Sequence, residues 1–201
     1  MSNEPIDFYF DFTSPYSYLA SEKIDALAAR FGRKVRWRPM LLGAAFPKTG
    51  GRPLTEIPLK GDYSVRDFAR SARYHGIAFR LPSRFPLATQ QAGRAYYWLH
   101  DRDCAKARQF ARAVFRAYFV DDRDIADTEV VLDLAAACGA DRAALAAALA
   151  TAELKQRLRS ETESAMAAGM FGAPYIIVDG EPFWGADRLP QIERWLQDGG
   201  F

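Results

Sequence analysis

Cysteine and histidine are nearly absent from this chain of 201 residues, at two of each. Cys104 and Cys138 stand far apart in segments of helical patterning, and no Cys-x-x-Cys occurs. Neither a disulfide framework nor a zinc spacing can be assembled from them. The pair could close a single bridge; buried free thiols are the expectation. His75 and His100 lie on helical stretches with no partner in view and read as structural. An excess of one charge is also missing. The 27 basic and 25 acidic residues leave a net +2, which gives no global drive toward nucleic acid or membrane. Basic side chains crowd residues 66–84, but Asp62 and Asp67 accompany them. That segment reads as a solvated helix face or a local site for a small anion. No apolar run is long enough to span a bilayer. The opening Met1-Ser2-Asn3-Glu4-Pro5 has neither the basic nor the apolar region of a secretory leader, so a soluble cytoplasmic chain is expected.

Apolar and aromatic residues are plentiful, at 49% and 13%, enough for a large buried core. The stretch Ile6-Asp7-Phe8-Tyr9-Phe10-Asp11-Phe12 alternates. Ile6, Phe8, Phe10 and Phe12 face one way and Asp7, Tyr9 and Asp11 the other, as in a central pleated strand. Residues 18–31 then carry Leu19, Ile24, Leu27, Ala28 and Phe31 at helical spacing. Ser14-Pro15 sits where strand becomes helix: serine is a preferred N-cap, and proline fits the first turn. Free N–H groups at a helix start also favour an anion. The turn therefore reads either as a plain cap or as an anion site.

Residues 34–40 alternate again. Strand, helix and strand at this spacing make a parallel βαβ unit, with the Ser14 turn at the carboxyl edge where open α/β sheets bind ligands. Residues 43–59 hold Pro47, Gly50-Gly51, Pro53 and Pro58 and read as a long loop with at most short helical turns. Helices are expected over 62–75, 87–100, 103–119, 127–138, from Asp141, and over 151–168, with Gly76 and Gly139 as stops and 77–86 irregular. Pro174-Tyr175-Ile176-Ile177-Val178 and Glu181-Pro182-Phe183-Trp184 form a hairpin about Asp179-Gly180. Pro182 requires an edge, or a place where its N–H is not needed. A last helix starts at Ala186 or Asp187 and runs to Gln197. The two ends together give the order β-α-β-α-β-β-α, an α/β unit at 1–42 and 165–201 interrupted by an all-helical insertion at 43–164.

That outer order resembles the thioredoxin fold, with its mixed four-stranded sheet, and the helical insertion is similar to that of the DsbA-like branch. There, the turn after the first strand carries Cys-Pro-x-Cys or a relative; here it reads Ser14-Pro15-Tyr16-Ser17. A cis-proline opens the third strand opposite that turn, and Gly172-Ala173-Pro174-Tyr175 occupies the place. More narrowly, the motifs resemble those of 2-hydroxychromene-2-carboxylate isomerase and the kappa-class glutathione transferases. They are Phe10-Asp11-Phe12-Thr13-Ser14-Pro15-Tyr16-Ser17-Tyr18, Lys60-Gly61-Asp62-Tyr63, Gly169-Met170-Phe171-Gly172-Ala173-Pro174 and Phe183-Trp184-Gly185-Ala186-Asp187-Arg188, in the family's order and spacing over nearly the whole chain.

The resemblance implies a glutathione site, and the residue chemistry agrees. Serine cannot exchange disulfides, so a disulfide oxidoreductase built on this turn is nearly excluded despite the fold. A serine hydroxyl can hydrogen-bond another molecule's thiolate and lower the pKa of a thiol that, near ~8.5, is otherwise a few per cent ionised. By position, the resemblance implies that Ser14 poises the glutathione sulfur beside Pro15 and Tyr16. Ala173, before Pro174, would pair with the cysteinyl main chain as an added strand does. Asp187 would meet the γ-glutamyl ammonium and Lys60 the glycyl carboxylate, and Trp184 and Gly185 would shape a wall. Read alone, Lys60 is an ordinary surface lysine, Asp187 an N-cap and Trp184 a packing residue. Arg38 and Arg84 are offered by charge alone as partners for a substrate carboxylate. Gly51 stands near where kappa enzymes carry Asn, and Ala186 where they carry Ser.

Three functions follow from the resemblance. The first is a glutathione-dependent cis-trans isomerase interconverting 2-hydroxychromene-2-carboxylate and trans-o-hydroxybenzylidenepyruvate in naphthalene-type degradation. The second is a kappa-like transferase or peroxidase that consumes glutathione. The third is a non-catalytic thioredoxin-like module that binds a partner at the proline edge. The partners implied are glutathione, a small aromatic substrate and a second copy in a homodimer, with no metal.

Overall fold

The computed structural model describes residues 4–201; Met1, Ser2 and Asn3, on which the expectation of no leader partly rests, lie outside them. The strands β1 (Ile6–Phe10), β2 (Val35–Pro39), β3 (Tyr175–Val178) and β4 (Glu181–Trp184) form one sheet in the order β2-β1-β3-β4. β1 and β2 run parallel, and the other neighbours antiparallel. α1 (Pro15–Ser21) and α2 (Ile24–Arg30) join β1 to β2. Between β2 and β3 come α3 (Phe46–Thr49), α4 (Lys60–His75), α5 (Gln90–His100), α6 (Cys104–Phe119), α7 (Thr128–Ala137), α8 (Arg142–Leu149) and α9 (Ala152–Ala167). α10 (Leu189–Asp198) follows β4. Order and polarity are those of the thioredoxin-like α/β fold. No helix of the described residues is long and apolar enough to cross a membrane.

Local chemistry explains where elements depart from the sequence pattern. The single helix expected over 18–31 is two. Ser21 Oγ donates back to the Tyr18 carbonyl at 2.7 Å, and Lys23 N–H reaches Ala20 O at 3.0 Å, one residue short of α-helical spacing. Such back-bonding competes with the helical ladder and bends it. β1 stops at Phe10 because the carboxylate of Asp11 turns to the backbone ahead of it. α5 begins at Gln90, not Leu87, because Leu87 N–H and the Thr89 hydroxyl are bonded to Thr13 and Asp11. The Asp179-Gly180 turn has positive φ at both residues, 53° and 90°, the mirror-image geometry whose twist matches a hairpin. Pro182 lies exposed on the edge strand β4.

Both cysteines are free thiols. The expectation that both are buried fails: Cys104 is exposed and Cys138 half-buried. Cys104 opens α6 on its solvent side, while Ala107, Phe110 and Ala111 take the inward positions.

The sheet and the helical segment share one continuous core. Phe8, Phe10 and Phe12 stack along one face of β1, and Phe115 of α6 reaches Phe10 at 5.4 Å and Phe12 at 5.2 Å between ring centres. The helical segment also covers the outer edge of β2. Tyr96 and Tyr97 of α5 donate to the carbonyls of Trp37 and Pro39, each at 2.8 Å, and Arg108 of α6 to Val35 O at 3.2 Å. Alternate carbonyls of that edge, which an open sheet would leave to water or to another chain, are thus filled by side chains. On the other face, Tyr9, Met40, Ala165, Met170 and Tyr175 make a second cluster.

Phe115 is wholly buried and touches both layers. Phe115→Ala is expected to cost about 3–5 kcal/mol, read as a lower urea midpoint; a loss under ~1 kcal/mol would show that the layers do not share this core.

Candidate active site

Asp11, 3% exposed, lies at the exit of β1 and accepts hydrogen bonds from Thr13 N at 3.0 Å, Leu42 N at 2.8 Å and Thr89 Oγ1 at 2.8 Å. Its partners come from the turn after β1, the segment after β2 and the approach to α5. Burial raises the Asp11 pKa above the usual carboxylate range, and the three donors oppose that shift without cancelling it.

Ser14 follows at the start of α1. Its Oγ accepts from Ser17 N at 3.1 Å as the N-cap and donates to the carbonyl of Ala173 at 3.1 Å. That second bond spans the turn after β1 and the segment before β3. Ser17 Oγ is fully buried with no hydrogen-bond partner among the described residues. The Ala173–Pro174 bond is cis, as is Phe85–Pro86.

Asp11, Thr13, Ser14, Pro15, Tyr16 and Ala173 line a cavity of about 370 Å³. Its remaining wall is largely apolar: Leu41 and Leu42, Phe46, Leu54, Phe68 and Phe85 among others. A cleft of this size and lining, with a few convergent polar groups, suits a small organic ligand. Tyr16 donates to Asp67 Oδ2 at 2.5 Å and packs edge-on against Phe68, 5.1 Å between ring centres. Burial, then the Asp67 bond, pushes the Tyr16 phenol up, and Asp187 adds to that push. Burial would raise Asp67, but hydrogen bonds from Tyr16 and Arg70 outweigh it and hold the carboxyl below its usual range.

Of the residues expected at the site, the cavity thus brings together Ser14, Pro15, Tyr16 and Ala173. Lys60, Pro174, Trp184 and Asp187 do not line it. Pro174 is buried, its carbonyl accepting from Gly185 N at 3.0 Å. Trp184 is 55% exposed, not a packing residue of the interior; its ring meets Phe171 at 4.9 Å and lies over Gly172, where any Cβ would collide with the indole nitrogen. Lys60 opens α4 and is exposed. Asp187 is no N-cap: it sits inside a 3₁₀ turn, Ala186–Arg188, and pairs with Arg188 at 2.9 Å. Arg38 and Arg84 are outside the cavity because their charges are met elsewhere. Arg38 faces Asp7 at 3.0 Å and Glu161 at 3.5 Å, and Arg84 pairs with Asp124. An Asn at Gly51 would need Phe46, a cavity wall, to move: a Cβ there stands 3.1 Å from its ring.

Sequence reasoning missed Asp11, Thr89 and Asp67. For Asp11 a signal existed, an acid inside an aromatic strand immediately before the turn. Thr89 and Asp67 have none, because only folding brings them there from remote segments.

A family model described as a DSBA-like thioredoxin domain matches residues 5–197. The chain belongs to the DsbA-like thioredoxin family. Within that family it is 31% identical to a 2-hydroxychromene-2-carboxylate isomerase of Sphingobium xenophagum, over 96% of this chain and 98% of that one. It is 30% identical to glutathione S-transferase kappa 2 of Caenorhabditis elegans, over 96% and 92%. A solved structure of a 2-hydroxychromene-2-carboxylate isomerase superposes with a TM-score of 0.88 at 26% identity, covering 97% of this chain and 95% of that one. As a DsbA-like protein with Ser14 and Ser17 in its turn, it has no sulfur there for disulfide exchange.

The raised pKa of Asp11 has a defined sign in stability. A carboxyl whose pKa is higher folded than unfolded adds stability below the unfolded value, and that contribution is lost as pH rises through the folded one. The unfolding free energy of the wild type minus that of Asp11→Asn is therefore expected to fall as pH rises above the ordinary carboxylate value of about 4. Urea unfolding at stepped pH measures it, and a difference that grows with pH would contradict the assignment.

Proposed function

We propose that this protein is a glutathione-dependent cis-trans isomerase acting on 2-hydroxychromene-2-carboxylate or a closely similar aromatic ring-cleavage product. The observation that carries the reading is the Ser14 hydroxyl, 7% exposed, on the wall of a largely apolar cavity and bonded to the Ala173 carbonyl. A redox turn with hydroxyls in place of its sulfurs keeps the geometry for holding a thiol and loses the chemistry for exchanging one. The isomerase relatives and the kappa 2 transferase support the reading from outside the chain.

The residues present fit glutathione at its reactive end. Ser14 Oγ donates to Ala173 O and can turn that proton instead to a sulfur placed beside it in the cavity. The N–H of Ala173, which meets no acceptor among the described residues, is free for an added strand. When bound, glutathione would supply a thiolate able to add reversibly to the conjugated carbon of the ring-opened substrate. Ser14 holds that charge by hydrogen bonding, and Asp11 fixes the turn that carries Ser14. The walls from Leu42, Phe46, Phe68 and Phe85 exclude water and match a flat aromatic body. Tyr16, held by Asp67, borders the same space as a neutral phenol. Lys60 and Asp187 serve the two ends of the tripeptide, outside the cavity. The protein acts as a homodimer in the cytoplasm.

The kappa 2 relative favours a second reading, a transferase or peroxidase on the same thiolate site. Whether glutathione is consumed separates the two, and a non-catalytic module would raise no thiolate absorbance when glutathione is added. The deciding assay follows the trans product with and without glutathione. Ser14→Ala is expected to lower turnover by roughly 10²-fold, the loss of one donor to a reacting anion, while calorimetric glutathione affinity stays within about threefold. Full activity in that variant would remove Ser14 from the chemistry.

A further inference from the structure

A second cavity, about 410 Å³, lies across the segment 41–44 from the first, sharing Leu41 and Ala44 with it. Its other lining comes from α5 and α9: Arg94, Lys155, Leu158, Arg159, Thr162, Glu163 and Met166. The helices approach closely here because position 93 is glycine; a Cβ there would stand 3.0 Å from Leu158.

The charges in this cavity do not balance. Arg159 is paired with Glu163 at 2.9 Å, which leaves half-buried Arg94 and, at the solvent-exposed rim, Lys155 without a carboxylate among the described residues. Three guanidinium Nε atoms in the described residues are shut off from water with no acceptor: those of Arg38, Arg94 and Arg157. Arg38 has Asp7 at 3.0 Å and Arg157 has Glu161 at 3.3 Å, so their charges are nevertheless met. Arg94 has only the neutral Gln91 amide oxygen, at 3.4 Å. Burial lowers its pKa, and no acid opposes the shift. Arg94 is half-buried with its Nε shut off from water, and an incoming anion offsets the cost of that partial desolvation. Thr162 is not a free donor, since its hydroxyl accepts from Leu41 N at 3.1 Å and donates to Leu158 O at 2.9 Å. Leu41, Ala44, Leu158 and Met166 supply the apolar part of the lining.

We propose that this α5–α9 cavity is a second small-molecule site, separate from the Ser14 cavity, that takes a carboxylate with an apolar body, anchored on Arg94 and Lys155. Two cations without carboxylate partners beside an apolar lining select such a ligand over a bare inorganic anion. The occupied site would press on Leu41, which neighbours the residue that bonds Asp11.

Benzoate is the probe, titrated calorimetrically into the full chain beside acetate and inorganic phosphate. Benzoate should bind once per chain, more tightly than either other anion and more weakly in high salt. Arg94→Gln should weaken it about tenfold or more, the usual loss of one charge-assisted bond. In amide NMR spectra the shifts should centre on Leu41, Arg94 and Thr162, not on Ser14 and Tyr16. If Arg94→Gln fails to fold, Lys155→Gln carries the same expectation. The proposal is overturned by no saturable binding, by unchanged affinity in a folded variant, by phosphate or acetate equalling benzoate, or by shifts centred on Ser14.

Discussion

A single buried carboxylate holds the candidate site together. Asp11 sits where β1 ends, and its donors come from segments that share no neighbouring sequence: Thr13, Leu42 and Thr89. Each bond satisfies a group that the interior would otherwise leave costly. Together they set the turn carrying Ser14, the segment walling the cavity on one side and the approach to α5 on the other. Burial works against the charge, since it pushes the carboxyl toward its neutral form, and the three donors supply the opposing force. The position therefore places a desolvated but fully bonded carboxylate three residues from Ser14.

The helical segment contributes more than cover. Phe115 brings α6 into the aromatic face of β1, and the tyrosines of α5 fill the carbonyls at the open edge of β2. Both devices close a surface that a bare four-stranded sheet would expose. The same segment supplies Phe68, Phe85 and Thr89 to the cavity and Asp67 to Tyr16. Sheet and helices thus meet at the candidate site as well as in the core, and the Ser14 turn is held from both.

The segment 41–44 stands between two cavities of different character. On one side Leu42 bonds Asp11; on the other Leu41 bonds Thr162 of α9. The first cavity is apolar with a hydroxyl at its wall, and the second is apolar with unmatched positive charge. Such a strip, tied on both sides, gives a physical route by which occupancy of one cavity can reach the other.

The alternating aromatics of β1, the helix-start signature of Ser14-Pro15, the Asp179-Gly180 turn and the absence of sulfur from the turn after β1 were all determined by the sequence alone. Each depends on neighbours a few residues apart, within reach of backbone sterics and side-chain alternation. The thioredoxin-like order followed from those elements and their spacing, and the quartet of Ser14, Pro15, Tyr16 and Ala173 followed from motif resemblance. Tertiary structure decided the rest. Where α1 breaks depends on one back-bonding serine, and where α5 starts depends on contacts to Thr13 and Asp11 from residues more than seventy positions away. The idle charge of Arg94, the satisfied charges of Arg38 and Arg84, and the exposure of Trp184 and Cys104 all turn on which remote partners the fold delivers. Periodicity marks a side chain's face on its own element. It carries no information on what stands opposite, because that is set by packing between segments the chain keeps far apart.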